Sequence, residues 1–377
     1  SLDGPDLDLP RIQAALPSGT IVVEYCVLQD RTYAWVISRE QVAFRELRAN
    51  RPGIKRWSET LQNAGSDQSD DPADPILYSA FLELVDQPLK AARQLRAGQR
   101  IDQLVIIPDG VMHGLPFAAL RDSGSLRYLI EEAPIAVQGS AALYLVSLCR
   151  DGELPRGGAP SILLVGNPTL QQGLPIADGL PDLPKAKEEV MAIARGYASI
   201  GYRATTLIGE QATVPAFLSA APGSAVIHVA AHAVANPLSS AHSALLLAPS
   251  ADDSGVLYAE ELLKRLRLPN TRLVILSACS TSGGAPIGPE GVAPLVRPLI
   301  GTGVPAVIGS LWSVPDDTAK ELLVSFHRHY QTGEDAATAM RSAQLDLLHG
   351  SGKFKSPMAW ASFEVIGHAS SPFARSP

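Results

Sequence analysis

Short apolar runs recur through the second half of the chain, and segments with helical patterning separate them. "ILLVG" (162–166), "VIHVA" (226–230), "LVILS" (273–277) and "PAVIGSLW" (305–312) show little alternation between apolar and polar residues. A strand that is apolar on both sides has to be covered on both faces, which is the condition of a parallel sheet between helical layers. The intervening stretches "LPKAKEEVMAIARGY", "YAEELLKRL" and "EGVAPLVRPLIGTG" carry apolar residues at helical spacing. Strand–helix alternation of this kind predicts an α/β fold, a mostly parallel sheet flanked by helices. "TAKELLVSFHRHY" and "DAATAMRSAQLDLL" add two helices near the end, and "AWASFEVIG" adds a last strand.

The first half reads differently. "TIVVEYCVLQDRTYAWVISREQVAFREL" mixes apolar and polar residues in short β-rich runs around the turn-forming "QDR", which predicts a hairpin or meander. "NAGSDQSDDPAD" (63–74) reads as an acidic loop of small residues. A helix with apolar face Leu77, Phe81, Leu84, Val85 and Leu89 follows, then "QLVIIPDG", a short buried strand. The charged, Pro/Gly-rich "RDGELPRGGAP" (150–160) reads as a linker, dividing the chain into units at 1–155 and 156–377. No repeat of fixed period is present, so the chain is not itself a solenoid.

Composition excludes several functions. A formal charge of −7 argues against a broad nucleic-acid surface. Three widely spaced cysteines, Cys26, Cys149 and Cys279, make neither a disulfide framework nor a zinc pattern, which points to a reducing cytoplasm. The long apolar stretch "PLIGTGVPAVIGSLWSV" is broken by glycine and proline and is a poor membrane span. GxxxxGK[ST], HExxH and GxSxG are all missing, and the GxG of "GTGVPAVIG" precedes its strand, so no cofactor or metal is expected. The chain opens on Ser1, which suggests that a natural N-terminal region precedes it.

In open parallel sheets, ligands bind beyond the carboxyl ends of the strands. Two reactive side chains fall there: His232, two residues past "VIHVA", and Cys279, two past "LVILS". If those strands are neighbours, a base and a thiol face one crevice. The thiolate is the nucleophile, and an imidazole within reach can take the thiol proton and later give it to the leaving amine. Backbone amides near Cys279 and after His232 could hold an oxyanion, and "STSGG" lets a peptide backbone approach closely. The competing reading is a packed core cysteine, which is the reading for Cys26 and Cys149. His228 lies inside the strand and reads as a packing or hydrogen-bonding residue. His242, His327, His329, His349 and His368 read as surface or packing residues.

At these residues the sequence resembles a known family. "VIHVAAHA…SALLLAP", "LVILSACSTSGG…GPEGVAPLVRPLIGTGVPAVIGSLWSVPDD" and "PMAWASFEVIG" resemble the CHAT domain of the caspase-like, separase-related cysteine peptidases. "LVIIPDGVMHGLPFAAL", "YLIEEAPIAVQGS" and "LPKAKEEV" resemble its N-terminal half, so the likeness runs in order through roughly residues 20–367. The resemblance implies a caspase-like sheet with a degenerate, pseudo-caspase N-terminal half packed on a peptidase half. It makes His232 the catalytic histidine and Cys279 the nucleophile, with the Ala233 and Cys279 N–H groups as oxyanion donors. Ala233 stands where the family usually has glycine.

The resemblance further matches "LWSVPDD" to the separase segment lining the pocket for the residue before the scissile bond. Asp316 holds the acidic position there, with Asp317 beside it; a helix N-cap is the alternative for both. Glu290, in "GPEGV", matches a recurrent family residue and reads equally as a substrate contact or a helix-start residue. The expected activity is a cysteine endopeptidase acting on a protein substrate. Control is expected from a regulatory protein or an upstream helical-repeat region, in a bacterial defence or signalling system. The alternatives are a catalytically silent caspase-like scaffold, or a serine hydrolase using Ser277, Ser280 or Ser282.

Overall fold

The structure, a computed structural model, describes residues 8–67, 73–155, 160–236, 239–277, 293–350 and 352–373. One sheet of eleven strands organises it. Its first half holds β1 (Thr20–Val27), β2 (Thr32–Ile37), β3 (Val42–Leu47), β4 (Gln103–Ile107) and β5 (Ile135–Val137). Its second half holds β6 (Ile162–Pro168), β7 (Ala204–Gly209), β8 (Val226–Ala230), β12 (Leu273–Ser277), β13 (Ala306–Ser310) and β14 (Phe363–Gly367). A second, three-stranded sheet is built from β9 (Ala233–Val234), β10 (Ala244–Leu246) and β11 (Val256–Tyr258).

The main sheet runs β3-β2-β1-β4-β5-β14-β13-β12-β8-β6-β7. β1 to β3 form the expected meander, antiparallel throughout, and most other pairs are parallel. β14, near the end of the chain, runs antiparallel to β13 and parallel to β5. The first and second halves therefore share one hydrogen-bonded sheet. The fold is caspase-like, a mostly parallel sheet flanked by helices.

The first-half helices are α1 (Leu9–Ala15), α2 (Arg51–Asp67), α3 (Asp74–Ala80), α4 (Asp86–Leu95), α5 (Leu129–Glu132) and α6 (Ala141–Glu153). The second half adds α7 (Pro184–Ser199), α8 (Val214–Ala220), α9 (Ala259–Arg265), α10 (Ala293–Gly301), α11 (Asp316–Tyr330), α12 (Ala336–His349) and α13 (Pro357–Trp360). Alternate strand residues sort the core into two layers. Val226 and Ala230 of β8, with Leu273 and Ile275 of β12, pack under α7, α11 and α12 in a cluster that also runs beneath the first half. Ile227, Val229, Val274 and Leu276 face the other way, toward α8, α9 and α10.

Several local readings change. The stretch at 63–74 is helical as far as Asp67, because Leu61, Gln62, Ala64 and Gly65 bury one face of α2. α6 continues to Glu153, so the expected linker begins inside a helix. The apolar helical face at 77–89 is real, but a π-helical turn at Phe81–Val85 joins α3 to α4. Cys26 and Cys149 are not core residues. Cys26 is half-buried on β1, and Cys149 is exposed on α6.

Candidate active site

β8 and β12 are parallel neighbours in register, Val226 opposite Leu273 through Ala230 opposite Ser277. Their carboxyl ends therefore open side by side, and His232 lies two residues past one of them. Cys279 lies two residues past the other, outside the described residues, as do Ser280, Ser282 and Glu290.

His232 is held in one orientation. Its Nε2 stands 2.7 Å from the Pro181 carbonyl oxygen, in the loop before α7. A carbonyl can only accept, so Nε2 carries the proton and, in the neutral ring, Nδ1 keeps its lone pair. Burial lowers the His232 pKa, while the Pro181 bond and the charge of Asp182 partly offset that shift. A neutral imidazole with Nδ1 unprotonated is the form a general base needs. The sequence places this histidine just past its strand, but nothing in it points to the carbonyl that orients the ring.

The next residue, Ala233, pairs with Leu245 at the edge of the small sheet. The Leu246 N–H donates to the His232 carbonyl, which makes Ala233–Leu245 a non-hydrogen-bonded pair. The Ala233 N–H consequently points away from β10, off the sheet edge.

Beneath the strand ends runs a buried polar chain. His228, on the same face of β8 as Val226 and Ala230, meets Glu189 of α7. Its Nε2 is 2.7 Å from Glu189 Oε1, and neither side chain is exposed. His228 Nδ1 lies 3.1 Å from His327 Nε2, and His327 Nδ1 lies 2.8 Å from the Tyr197 hydroxyl. Ser277 Oγ, at the end of β12, donates to Glu189 Oε2 at 3.4 Å. Burial holds the Tyr197 hydroxyl protonated and pushes the His327 pKa well down, with His228 adding to the latter. Tyr197 donates to His327, His327 to His228, and Ser277 to the carboxylate, while His228 Nε2 and Glu189 Oε1 stand close together without the alignment of a hydrogen bond. Ser277 thus meets a carboxylate instead of an imidazole, which is not the arrangement that activates a serine.

Glu189 is the site residue that sequence reasoning missed. Its signal is a carboxylate inside the apolar stripe Ala186, Val190, Ile193 and Tyr197 of α7. His327, read as a surface or packing residue, is a buried member of this chain. His228 hydrogen-bonds out of its strand to His327 on the covering helix α11.

Neither aspartate of "LWSVPDD" is the N-cap of α11. That position is Pro315, and Asp316 and Asp317 occupy the first turn. Asp316 Oδ2 instead accepts the Lys185 N–H at 2.8 Å, capping α7 from outside. Burial raises the Asp316 pKa; the backbone bonds from Lys185 and Ala186 oppose this, and the nearby charges of Glu189 and Asp317 add to it. The same segment is anchored by Trp312, whose indole N–H donates to the Met358 carbonyl at 3.2 Å. Its ring lies so close to Gly65 of α2 that a Cβ there would stand 2.3 Å from a ring carbon.

Among the described residues, no group of three or more His, Cys, Asp or Glu side chains could hold a metal, and no helix is long and apolar enough to cross a membrane.

The profile of the CHAT domain family matches residues 76–368. Two curated relatives, tetratricopeptide repeat protein 28 of Mus musculus and of Homo sapiens, are 26% and 25% identical over 332 residues. Each match covers 76% of this chain, and the chain spans 13% of those relatives' length. Among solved structures, Saccharomyces cerevisiae separase in complex with securin is similar, with TM-score 0.63 and 9% identity over 97% of this chain and 30% of that one. The Arg-specific cysteine proteinase gingipain R aligns with TM-score 0.52 and 13% identity, over 85% of this chain and 75% of that one. At these identities the likeness is one of fold.

Proposed function

Because the chain belongs to the CHAT domain family, we propose that it is a cysteine endopeptidase with Cys279 as nucleophile and His232 as base. The observation that carries this reading is the His232–Pro181 bond, which leaves Nδ1 free to accept a proton at the mouth of the β8–β12 crevice. In this mechanism Nδ1 takes the thiol proton and the sulfur attacks the scissile carbonyl. The tetrahedral intermediate collapses as the leaving amine takes the proton from His232, and water then hydrolyses the thioester. The outward-facing Ala233 N–H and that of Cys279 hold the oxyanion. Alanine serves here because β9 is extended and needs no glycine-only backbone conformation.

In the same reading Asp316, with Asp317 beside it, receives an arginine or lysine before the cut. Support comes from the resemblance of "LWSVPDD" to the separase pocket segment and from the part-buried position of Asp316 near the end of β13. The substrate is a protein, and a regulatory protein or a helical-repeat region controls the enzyme in a cytoplasmic defence or signalling system. The repeat-protein relatives, of which this chain matches only a part, are consistent with such control.

The test is cleavage of candidate partner proteins by Cys279→Ala beside Cys26→Ala and Cys149→Ala. Turnover should vanish only in the first, since loss of a dyad member costs a rate factor of about 10³ or more. Turnover retained in Cys279→Ala sinks the mechanism. A parent chain inert toward thiol-directed peptide electrophiles would favour the scaffold reading.

A further inference from the structure

The two faces of the sheet are covered differently. Under α7, α11 and α12 a single core runs beneath both halves. On the opposite face the apolar residues form separate clusters, one under α6 and the other under α8, α9 and α10. The seam between them lies over β5 and β14, where the halves join. One stretch of it is closed by His368 edge-on to Tyr144 and by Arg150 donating to the Gly303 carbonyl. Another stretch is open, leaving a cavity of about 490 Å³ between α6 and α10, walled by Val137, Leu143, Val296, Ile300 and Ile366.

Glu364 is on its floor. Strand alternation sets it on the same side of β14 as Ile366, beside this seam. No side-chain hydrogen bond or ion pair holds its carboxyl among the described residues. Burial raises its pKa to about 8, with no charged neighbour contributing. Among the described residues, His113 and Arg297 are the other ionisable groups lining the cavity, and neither contributes to that shift. Among the described residues the lining is mostly apolar with one carboxyl that has no partner, and a cleft of this volume, typical for small molecules, suits a ligand with one positive charge and an apolar body.

We propose that this seam is a binding site for a small amphipathic cation, a primary amine on an aliphatic or aromatic stem, with Glu364 as the counter-charge. The volume favours a free molecule over one lysine side chain of a docked protein, which would leave most of the space empty. The proposal stands apart from the peptidase reading, because none of its residues belongs to the His232–Cys279 crevice.

The test is calorimetric titration of the full chain with n-hexylamine, 1-hexanol and hexanoate. Hexylamine should bind saturably, hexanol more weakly, and hexanoate not at all. Glu364 must release its proton to pair with the amine, so hexylamine affinity should rise about tenfold per unit from pH 6 to pH 8, then level off. Glu364→Gln should weaken hexylamine at least tenfold at pH 8 and flatten its pH dependence, with an unfolding temperature no lower than the parent's. Ile300→Trp, which fills the cleft and keeps the carboxylate, should block binding. Hexanoate binding as tightly as hexylamine, unchanged affinity in folded Glu364→Gln, or unchanged affinity in Ile300→Trp would each overturn the proposal.

Discussion

His228 and Glu189 meet 2.7 Å apart with no solvent on either, one on a strand and the other on the helix that covers it. The pair ties α7 to β8, and through Ser277 to the end of β12, so its two partners are not equally replaceable. Glu189→Gln can turn its amide oxygen to His228 and its NH₂ to Ser277 Oγ. That change should cost less than about 1 kcal/mol. Glu189→Ala removes the carboxylate that stands against buried His228 and accepts from Ser277, and should cost about 1–3 kcal/mol. Urea unfolding of the two variants checks the order; equal losses would mean that the carboxylate is not the acceptor.

The pH dependence of stability should carry the signature of His327. Its folded pKa is held well below the ordinary histidine value, first by burial and then by His228. The unfolded chain therefore binds a proton below about pH 6.5 that the folded chain refuses. Stability is complete above that pH and falls as pH drops, by up to about 1.4 kcal/mol per unit, until the folded pKa is reached. His327→Gln should remove that slope between pH 6.5 and pH 5. An unchanged slope would assign the acid sensitivity to other groups.

The acid limb of turnover should follow His232. Burial lowers its pKa, so the neutral base persists below the ordinary histidine range. kcat/KM on a cleaved substrate should hold from neutral pH down past about 6.5 and only then decline. A limb already falling above pH 7 would point to a different base.

Asp316 offers a way to separate capping from specificity. Asn keeps an acceptor for the Lys185 N–H, so Asp316→Asn should retain stability within about 0.5 kcal/mol, while Asp316→Ala loses about 0.5–2 kcal/mol with the cap. If Asp316 also faces substrate, both variants lose preference for a basic residue in a peptide library varied at that position. An unchanged profile in Asp316→Asn would leave only the cap.

The buried pair of Arg272 and Asp151 locks the start of β12 to the end of α6, 2.7 Å apart and nearly unexposed. Arg272 also donates to the Leu154 and Pro155 carbonyls. Asp151→Ala should cost about 3–5 kcal/mol, since it strands a buried cation. A loss below about 1 kcal/mol, measured by denaturant titration, would show that the carbonyls alone suffice.

The central strands and their covering helices were legible from sequence, because β6, β8, β12 and β13 are continuous apolar runs and α7, α11 and α12 repeat apolar residues at helical spacing. The positions of His232 and Cys279 just past two strands were legible for the same reason, and β8 and β12 are neighbours. Local pattern could not reveal β5 or β9, each two or three residues long, nor β7, whose residues are only half-buried. Nor could it reveal contacts made across the fold. His232 takes its orientation from a carbonyl 51 residues away, and Asp316 caps a helix 131 residues before it. Glu189 in an apolar stripe looks like an interruption until His228 and Ser277 are brought to it. Periodicity records which face of an element is buried. What a polar group meets there depends on which strands lie side by side and which helices cover them, here β8 between β6 and β12 under α7 and α11.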